Sequence, residues 1–570
     1  MGGLIFLWRC NLTGWPGESR ACFSLPEGVF IAYVPHPVKS STTLKPPVRV
    51  GLISLGCAKN LVDAEVMLGS LLKSGAEITN DPTAADVVIV NTCSFIDAAQ
   101  EESVDAILES DAVREANNRG QALIVSGCLS QRFRDQLPKL LPEVDAFMGI
   151  DEVADVPGIV EGALRHRQAR LQNPAGESPR RSSRKVALPT VKTEVAPLVQ
   201  VNRRPKFVPD FAAPRFRLTP QHFAYVKIAE GCNHPCSFCT IPRMRGVHRS
   251  RGQKDIVAEA RQLVADGVKE LNLISQDSTY YGMDLRPNRK GSIASPGNFS
   301  AAAEALPGEA TTLSTLLRGL NRVRGDFWVR LLYTHPAHWT DELIETIAKC
   351  RKVVRYVDMP LQHIHDNMLE RMRRETSRQH IVELIERIRK GIPGIAIRTT
   401  FIVGFPGETE AYFESLLEFI RETKFERLGV FTYSNEEGTR AAKMTGQITA
   451  AVKKRRRQLA MKEQLKVAQA VSESFVGREI KVLVEKVAGG EELKNANISS
   501  WEHGLLRSDS VRETELSGRY MVARAEADAP DIDGRVLVRG KLAAGQFARV
   551  KVVGHTGYDL IAQPVLSPSA

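Results

Sequence analysis

The chain has 570 residues, 43% of them hydrophobic and 25% charged, and a net charge of +11 at neutral pH. Its nine cysteines are too few and too scattered for a small secreted disulfide framework, and no apolar run reaches the ~20 residues of a membrane-spanning helix. What remains is a globular chain long enough for three or four domains, expected in a reducing, cytoplasmic compartment. Its basic balance fits an anionic partner such as RNA or a ribosome, and equally a basic host proteome.

Residues 1–47 show no periodicity and hold several Pro and Gly, so they read as a disordered extension. Residues 2–8 are apolar but too short for a signal peptide, and no basic segment precedes them. Cys10 and Cys22 fall in this stretch and are given no role.

From residue 48 the pattern becomes regular. Strands are expected at 48–55, 86–91 and 121–126, each followed by a helical stretch, at 62–73, 96–117 and 131–140. A cysteine stands just past each strand: Cys57, Cys93 and Cys128, spaced by 36 and 35 residues. In an open parallel α/β sheet, ligands sit outside the carboxyl ends of the strands. Three thiols repeated at that edge therefore predict one shared site. The plainer alternative, three separate buried cysteines, does not account for the repeat.

Residues 164–217 carry Arg-rich and Pro-rich runs and read as a linker or insertion, mostly disordered. Six apolar strands are then expected, at 223–229, 270–275, 327–333, 354–359, 396–403 and 427–433. Six β-α units are too few for a closed eightfold barrel and suit a partial one. Residues 285–310, rich in Pro, Gly, Ala and Ser, read as a surface insertion.

The first of these strands runs into Gly231-Cys232-Asn233-His234-Pro235-Cys236-Ser237-Phe238-Cys239. Three thiolates are one too few for a closed four-thiolate metal site. An iron–sulfur cubane held by Cys232, Cys236 and Cys239 keeps one iron open to another ligand. Half a zinc ribbon, completed by His234 or His248, is the competing reading, but there is no second C-x2-C knuckle.

Other residues carry weaker signals. Gln276 and Asp277 end the second barrel strand and could bind a polar ligand or cap a helix. Residues 404–409 are Gly-rich without a phosphate-loop pattern, so they form a ligand approach or a tight turn. His335, His338, His363 and His365 have no metal-site spacing and are expected to be structural. Cys350 is expected to be a buried thiol. The run Lys453-Lys454-Arg455-Arg456-Arg457 reads as a solvated helix face or an RNA contact. Five short strands at 479–487, 518–525, 535–539, 546–553 and 558–562 predict a small antiparallel barrel, interrupted by a polar insertion at 488–516.

The C-x3-C-x2-C loop, with Phe238 before its last cysteine, resembles the radical S-adenosylmethionine (SAM) superfamily. Together with Cys57, Cys93 and Cys128, the ordered regions resemble its methylthiotransferase family. Within it, Ser54-Leu55-Gly56-Cys57-Ala58-Lys59-Asn60 is similar to the RimO branch, which modifies an aspartate of ribosomal protein S12. The tRNA-modifying MiaB branch has Phe-Gly-Cys-Gln-Met-Asn there. The resemblance implies a methylthiotransferase N-terminal domain (48–163), a radical SAM core (218–448), a connecting basic helix (449–463) and a TRAM barrel (464–566). It also implies two [4Fe-4S] clusters, one on each cysteine triad, with SAM at the second triad. One-electron cleavage of SAM would give a radical that removes a hydrogen from the aspartate β-carbon, and the first cluster would carry the sulfur to be inserted. No side-chain catalyst is implied. The implied partners are S12 or the small ribosomal subunit, an electron donor, a sulfur donor, and RNA through the TRAM domain. A tRNA adenosine methylthiotransferase is the runner-up, and a non-catalytic RNA-binding metalloprotein comes third.

Overall fold

The structure, a computed structural model, describes residues 47–172, 196–287, 291–489 and 518–565. The expected N-terminal extension up to residue 46, the middle of the linker and nearly all of the 488–516 insertion lie outside the described residues.

The first sheet is built from β1 Arg49–Ser54, β2 Glu77–Ile78, β3 Val87–Thr92, β4 Ala122–Gly127, β5 Ala146–Met148 and β6 Leu198–Gln200. Its order is β2-β1-β3-β4-β5-β6, parallel throughout. β3 and β4 are buried at every position, as central parallel strands covered on both faces must be. Alternate side chains divide between the faces. Val87 and Ile89 pack with the helices Ala58–Lys73 and Val156–Gln172, whereas Val88 and Val90 pack with Asp97–Asn117.

The helix expected at 131–140 is two short ones, Cys128–Arg132 and Leu137–Leu140. Pro138 explains the break, because proline fits the first turn of a helix and not its interior.

The linker expected at 164–217 is ordered at both described ends. The helix Val156–Gln172 runs through the expected boundary. After the undescribed stretch the chain returns to add β6 beside β5, covering what would be a bare edge. The Asp151 carboxylate then accepts the Lys206 and Phe207 amides at 2.9 Å, and Phe207, Phe216 and Leu218 pack against the first core. Arg-rich and Pro-rich composition hid a segment held by long-range contacts.

The second sheet holds β7 Phe223–Lys227, β10 Glu270–Ile274, β11 Trp328–Leu331, β12 Val353–Asp358, β13 Ala396–Val403 and β14 Arg427–Thr432. Between the first two lies a small hairpin, β8 Ala229–Glu230 with β9 Arg249–Ser250. The six strands run parallel in chain order, with β7 and β14 as open edges, which is the partial barrel. The stretch expected as a surface insertion is partly a wall of this unit. Its helix Pro296–Glu304 buries Phe299 against Tyr280, Met283 and Ile293, so one aromatic anchors a segment that composition alone places outside.

The basic helix runs unbroken over Ala450–Glu473, across the boundary expected at 463. Three of its cations turn inward, while Lys454 and Arg455 stay on an exposed face. Arg456 is buried on Glu408 at 2.6 Å, the Lys453 ammonium donates to the Tyr433 carbonyl at 2.7 Å, and Arg457 donates to the Val430 carbonyl at 3.0 Å. Through these contacts the helix is bolted to the barrel.

The last unit closes as a barrel of β15 Glu479–Val487, β16 Tyr520–Ala525, β17 Val536–Arg539, β18 Phe547–His555 and β19 Leu560–Pro564. Four of its pairings are antiparallel, and β17 with β19 is parallel. No helix of the described residues is long and apolar enough to cross a membrane.

Candidate functional site

β1, β3 and β4 are neighbours in the first sheet, so their carboxyl ends deliver Cys57, Cys93 and Cys128 to one place. Cys57 is extended and precedes the helix Ala58–Lys73, and Cys128 opens the helix Cys128–Arg132. Gly56 sits at φ +86°, where a Cβ would lie 2.7 Å from Cys93 Cβ and 3.0 Å from its Sγ. Only glycine lets the first loop close on the second thiol. Asn60 ties the strand ends together, donating to the Leu55 and Thr92 carbonyls at 3.0 and 2.7 Å. Burial pushes the Cys128 thiol up, and the Arg245 guanidinium partly offsets this. We expect Gly56→Ala to lower bound iron, by elemental analysis, toward that of a variant keeping only the Cys232 triad. Unchanged iron would show that the close approach does not matter.

Cys232, Cys236 and Cys239 lie on the loop leaving the edge strand β7. The Ser237 amide donates to the Met372 carbonyl at 3.0 Å and pins the loop to the barrel. The Arg374 guanidinium reaches Cys236 Sγ at 3.5 Å, and Phe238 packs with Met368, Met372 and Phe405. Burial pushes Cys239 up to about 12 and Cys232 well above its ordinary value. Cys232 and Cys239 are therefore neutral as bare thiols, and a metal bound to them would have to displace their protons. Three half-buried thiols with a guanidinium at hand fit an iron–sulfur cluster that spreads thiolate charge.

The same loop reaches across to the other triad. Arg245 is fully buried; its Nη2 lies 3.4 Å from Cys128 Sγ, and its Nη1 lies 2.8 Å from Asp63 and 3.3 Å from Glu230. Lys227 joins from β7, 2.7 Å from Glu230 and also on Asp63. One residue of the second cysteine loop thus touches the first cysteine site, which no spacing in the sequence announces.

The histidines divide. His363 pairs with Glu408 at 3.2 Å and His365 caps the helix Asp366–Met372, both structural as expected. His335 and His338 instead gather with His234 of the cysteine loop. His234 Nε2 and His338 Nδ1 both meet the same Asp277 oxygen, at 3.0 and 2.7 Å, and His335 stacks on His234 at 3.6 Å. Burial pushes Asp277 up, but His338 and His234 outweigh it and hold the carboxylate ionised; burial pulls His234 down to about 4. The three rings are close enough for a metal ion. One nitrogen of each ring, however, is already turned to Asp277 or to the Ala337 amide, 3.2 Å from His335 Nδ1, although His335 Nε2 has no partner among the described residues. A hydrogen-bonded brace around Asp277 is the simpler chemistry, and it leaves Asp277 no free oxygen for SAM.

Gln276 donates to Glu230 at 2.5 Å but keeps its own carbonyl unpartnered. Gly404 serves the protein itself, since a Cβ there would lie 2.3 Å from Lys453 Cγ. The glycine turn at 404–409 is therefore filled by Lys453. Cys350 is buried in the barrel core, as expected. Thr240 Oγ1, Gln276 Oε1, His335 Nε2 and Arg374 Nε, in the loops around the second triad, are buried without partners among the described residues. Unpaired buried donors and acceptors are costly, and this mixed set suits the amino and carboxylate groups of SAM.

Three family models match in chain order: uncharacterized protein family UPF0004 over residues 49–149, the radical SAM superfamily over 226–420 and the TRAM domain over 511–565. A ribosomal protein uS12 methylthiotransferase RimO of Opitutus terrae is 51% identical, over 91% of this chain and 97% of its own length. Proteins of the same name from Akkermansia muciniphila and Geobacter sulfurreducens are 47% and 41% identical, over 100% and 98% of their lengths. The chain belongs to the RimO family. Membership makes it a radical SAM methylthiotransferase whose cofactors are SAM and [4Fe-4S] clusters. In this RimO-family enzyme the matched radical SAM segment contains the Cys232 triad, and the UPF0004 segment contains the Cys57 triad.

Proposed function

We propose that the enzyme methylthiolates the β-carbon of an aspartate in ribosomal protein S12, using one [4Fe-4S] cluster on each cysteine triad. The observation that supports this most is the pairing of two separate three-thiol sites across a single buried arginine. When bound, the clusters and SAM supply hydrogen abstraction on one side and sulfur and methyl donation on the other. The protein's own residues do the rest. Cys232, Cys236 and Cys239 hold the cluster at the barrel mouth, and Arg374 beside Cys236 offsets its negative charge. Cys57, Cys93 and Cys128 hold the second, with Arg245 in the same role. Phe238, Met368 and Phe405 exclude water beneath the Cys232 loop. Gln276, His335 and Thr240 orient SAM. No side-chain general base is assigned, because hydrogen-atom removal needs none.

The choice of S12 rests on the names of the relatives and on the residues around Cys57. A second reading, adenosine in tRNA, draws on the last barrel, where Arg519, Arg539, Lys541, Arg549 and Lys551 are exposed. We read that face as contact with ribosomal RNA beside the target protein, in the cytoplasm. Mass spectrometry of a deletion strain separates the readings. We expect S12 to lose one methylthio group while tRNA is unchanged; an unaltered S12 mass removes the first reading.

A further inference from the structure

We infer that the Lys59 ammonium, held on the ring of Tyr333 between the two cysteine triads, is a binding point for the carboxylate of the side chain to be modified. The inference rests on the reading that the target is an aspartate.

Lys59 is the second residue of the helix that starts beside Cys57, and only 7% of it is exposed. Its Nζ lies 3.0 Å from the Tyr333 ring centroid. Among the described residues this ring is its one close partner; no carboxylate or carbonyl bonds it.

Acids do stand near, but they are taken. Glu230 is held by Lys227 at 2.7 Å, Arg245 at 3.3 Å and Gln276 at 2.5 Å. Asp358 is held by Arg398 at 2.9 Å and by the Tyr333 amide at 3.1 Å. Lys59 is thus a surplus buried cation with unused donors. An ammonium in that state is unfavourable unless an anion completes it, and a cation–π contact replaces only part of its lost hydration.

Placement says which anion. Tyr333 follows β11, at the same barrel edge as Gln276 and His335. It is held at φ +60°, a backbone region an aromatic residue rarely adopts, by the Asp358 carboxylate on its amide and the Ser278 amide on its carbonyl. This strained ring carries a cation from the first domain over the mouth of the second. A lysine serving only the Cys57 cluster would have no reason to reach the barrel. One placed between the triads can fix a carboxylate so that the adjoining carbon faces the radical source and the sulfur source together.

The test uses full-length enzyme with its clusters reconstituted. Fluorescent peptides copy the S12 target loop, with aspartate or asparagine at the target position, and binding is read by anisotropy. The wild type should prefer the aspartate peptide by about tenfold to a hundredfold, the range of a hydrogen bond to a charged group. Lys59→Met, of similar length but uncharged, should erase that preference and weaken the aspartate peptide by the same factor. Lys59→Arg should restore part of it, and iron content and the electron paramagnetic resonance spectra should stay as in wild type. If Lys59→Met keeps the preference, the inference fails. If it shifts the cluster spectra and leaves peptide affinity alone, the ammonium serves the cluster and the inference fails. A wild type that modifies tRNA and ignores the aspartate peptide defeats the S12 reading, and this inference with it; modification of the peptide by both wild type and Lys59→Met at equal affinity defeats this inference alone.

Discussion

A Cys57→Ala enzyme should still cleave SAM to 5′-deoxyadenosine and yet form no methylthiolated product. Cys57 belongs to the first sheet, whereas the thiols proposed to meet SAM lie on the loop after β7. Removing one of three thiolates leaves two, too few to hold a cluster with a single open iron, so the sulfur-bearing site is lost. The Cys232 loop keeps its own anchors, the Ser237 amide on the Met372 carbonyl and Arg374 on Cys236, and its chemistry persists. Cys232→Ala should instead abolish both 5′-deoxyadenosine and product. Chromatography of deoxyadenosine beside mass spectrometry of product checks both variants. If Cys57→Ala lost deoxyadenosine as completely as Cys232→Ala, the two sites could not have separate roles.

Arg524→Ala should destabilise the enzyme by about 3–5 kcal/mol, the cost of breaking one side of a buried ion network. Arg524 lies in the closed barrel, yet its guanidinium bonds Glu270 of β10 at 2.5 Å. It also holds Glu485 at 2.7 Å and the Asp528 carbonyl at 3.0 Å. Glu270 and its other partner Arg330, at 2.6 Å, are wholly buried. Losing Arg524 leaves the Glu270 charge half-paired where water cannot reach it. Burial pushes Glu270 up, but Arg524 and Arg330 together hold it below its ordinary value. Arg524→Lys should recover only part of the loss, because an ammonium cannot span both carboxylates and the carbonyl as the guanidinium fork does. Urea unfolding measures the change. A loss below about 1 kcal/mol, the value of an exposed pair, would mean that the network does not bind the last barrel to the core.

The six strands of the second sheet and β1, β3 and β4 of the first were legible because they read as apolar runs, as strands covered on both faces do, whereas the short β2 and β5 were not. Val87–Thr92 and Ala122–Gly127 are such runs, and the cysteines behind them share an edge because β1, β3 and β4 are neighbours. What stayed hidden is what the chain does at a distance. β6 is three residues in a polar stretch, and only β5 beside it makes it a strand. Phe299 is one aromatic among small residues, and its burial depends on Tyr280 and His338. Arg245 is visible as a basic residue of the cysteine loop, but its reach to Cys128 depends on how two domains pack. The histidines carried a faint signal: His234 lies inside the Cys232 loop, and Asp277, His335 and His338 follow consecutive barrel strands. Strands that lie side by side bring such residues together even when their spacing matches no motif.

S12 is the proposed target, and both triads are proposed to be needed. Reconstituted enzyme, SAM, a one-electron reductant and purified S12 should give a single methylthio addition, which tandem mass spectrometry places on an aspartate β-carbon, and tRNA in a parallel reaction should gain nothing. A methylthio group on tRNA adenosine with S12 untouched would contradict the account.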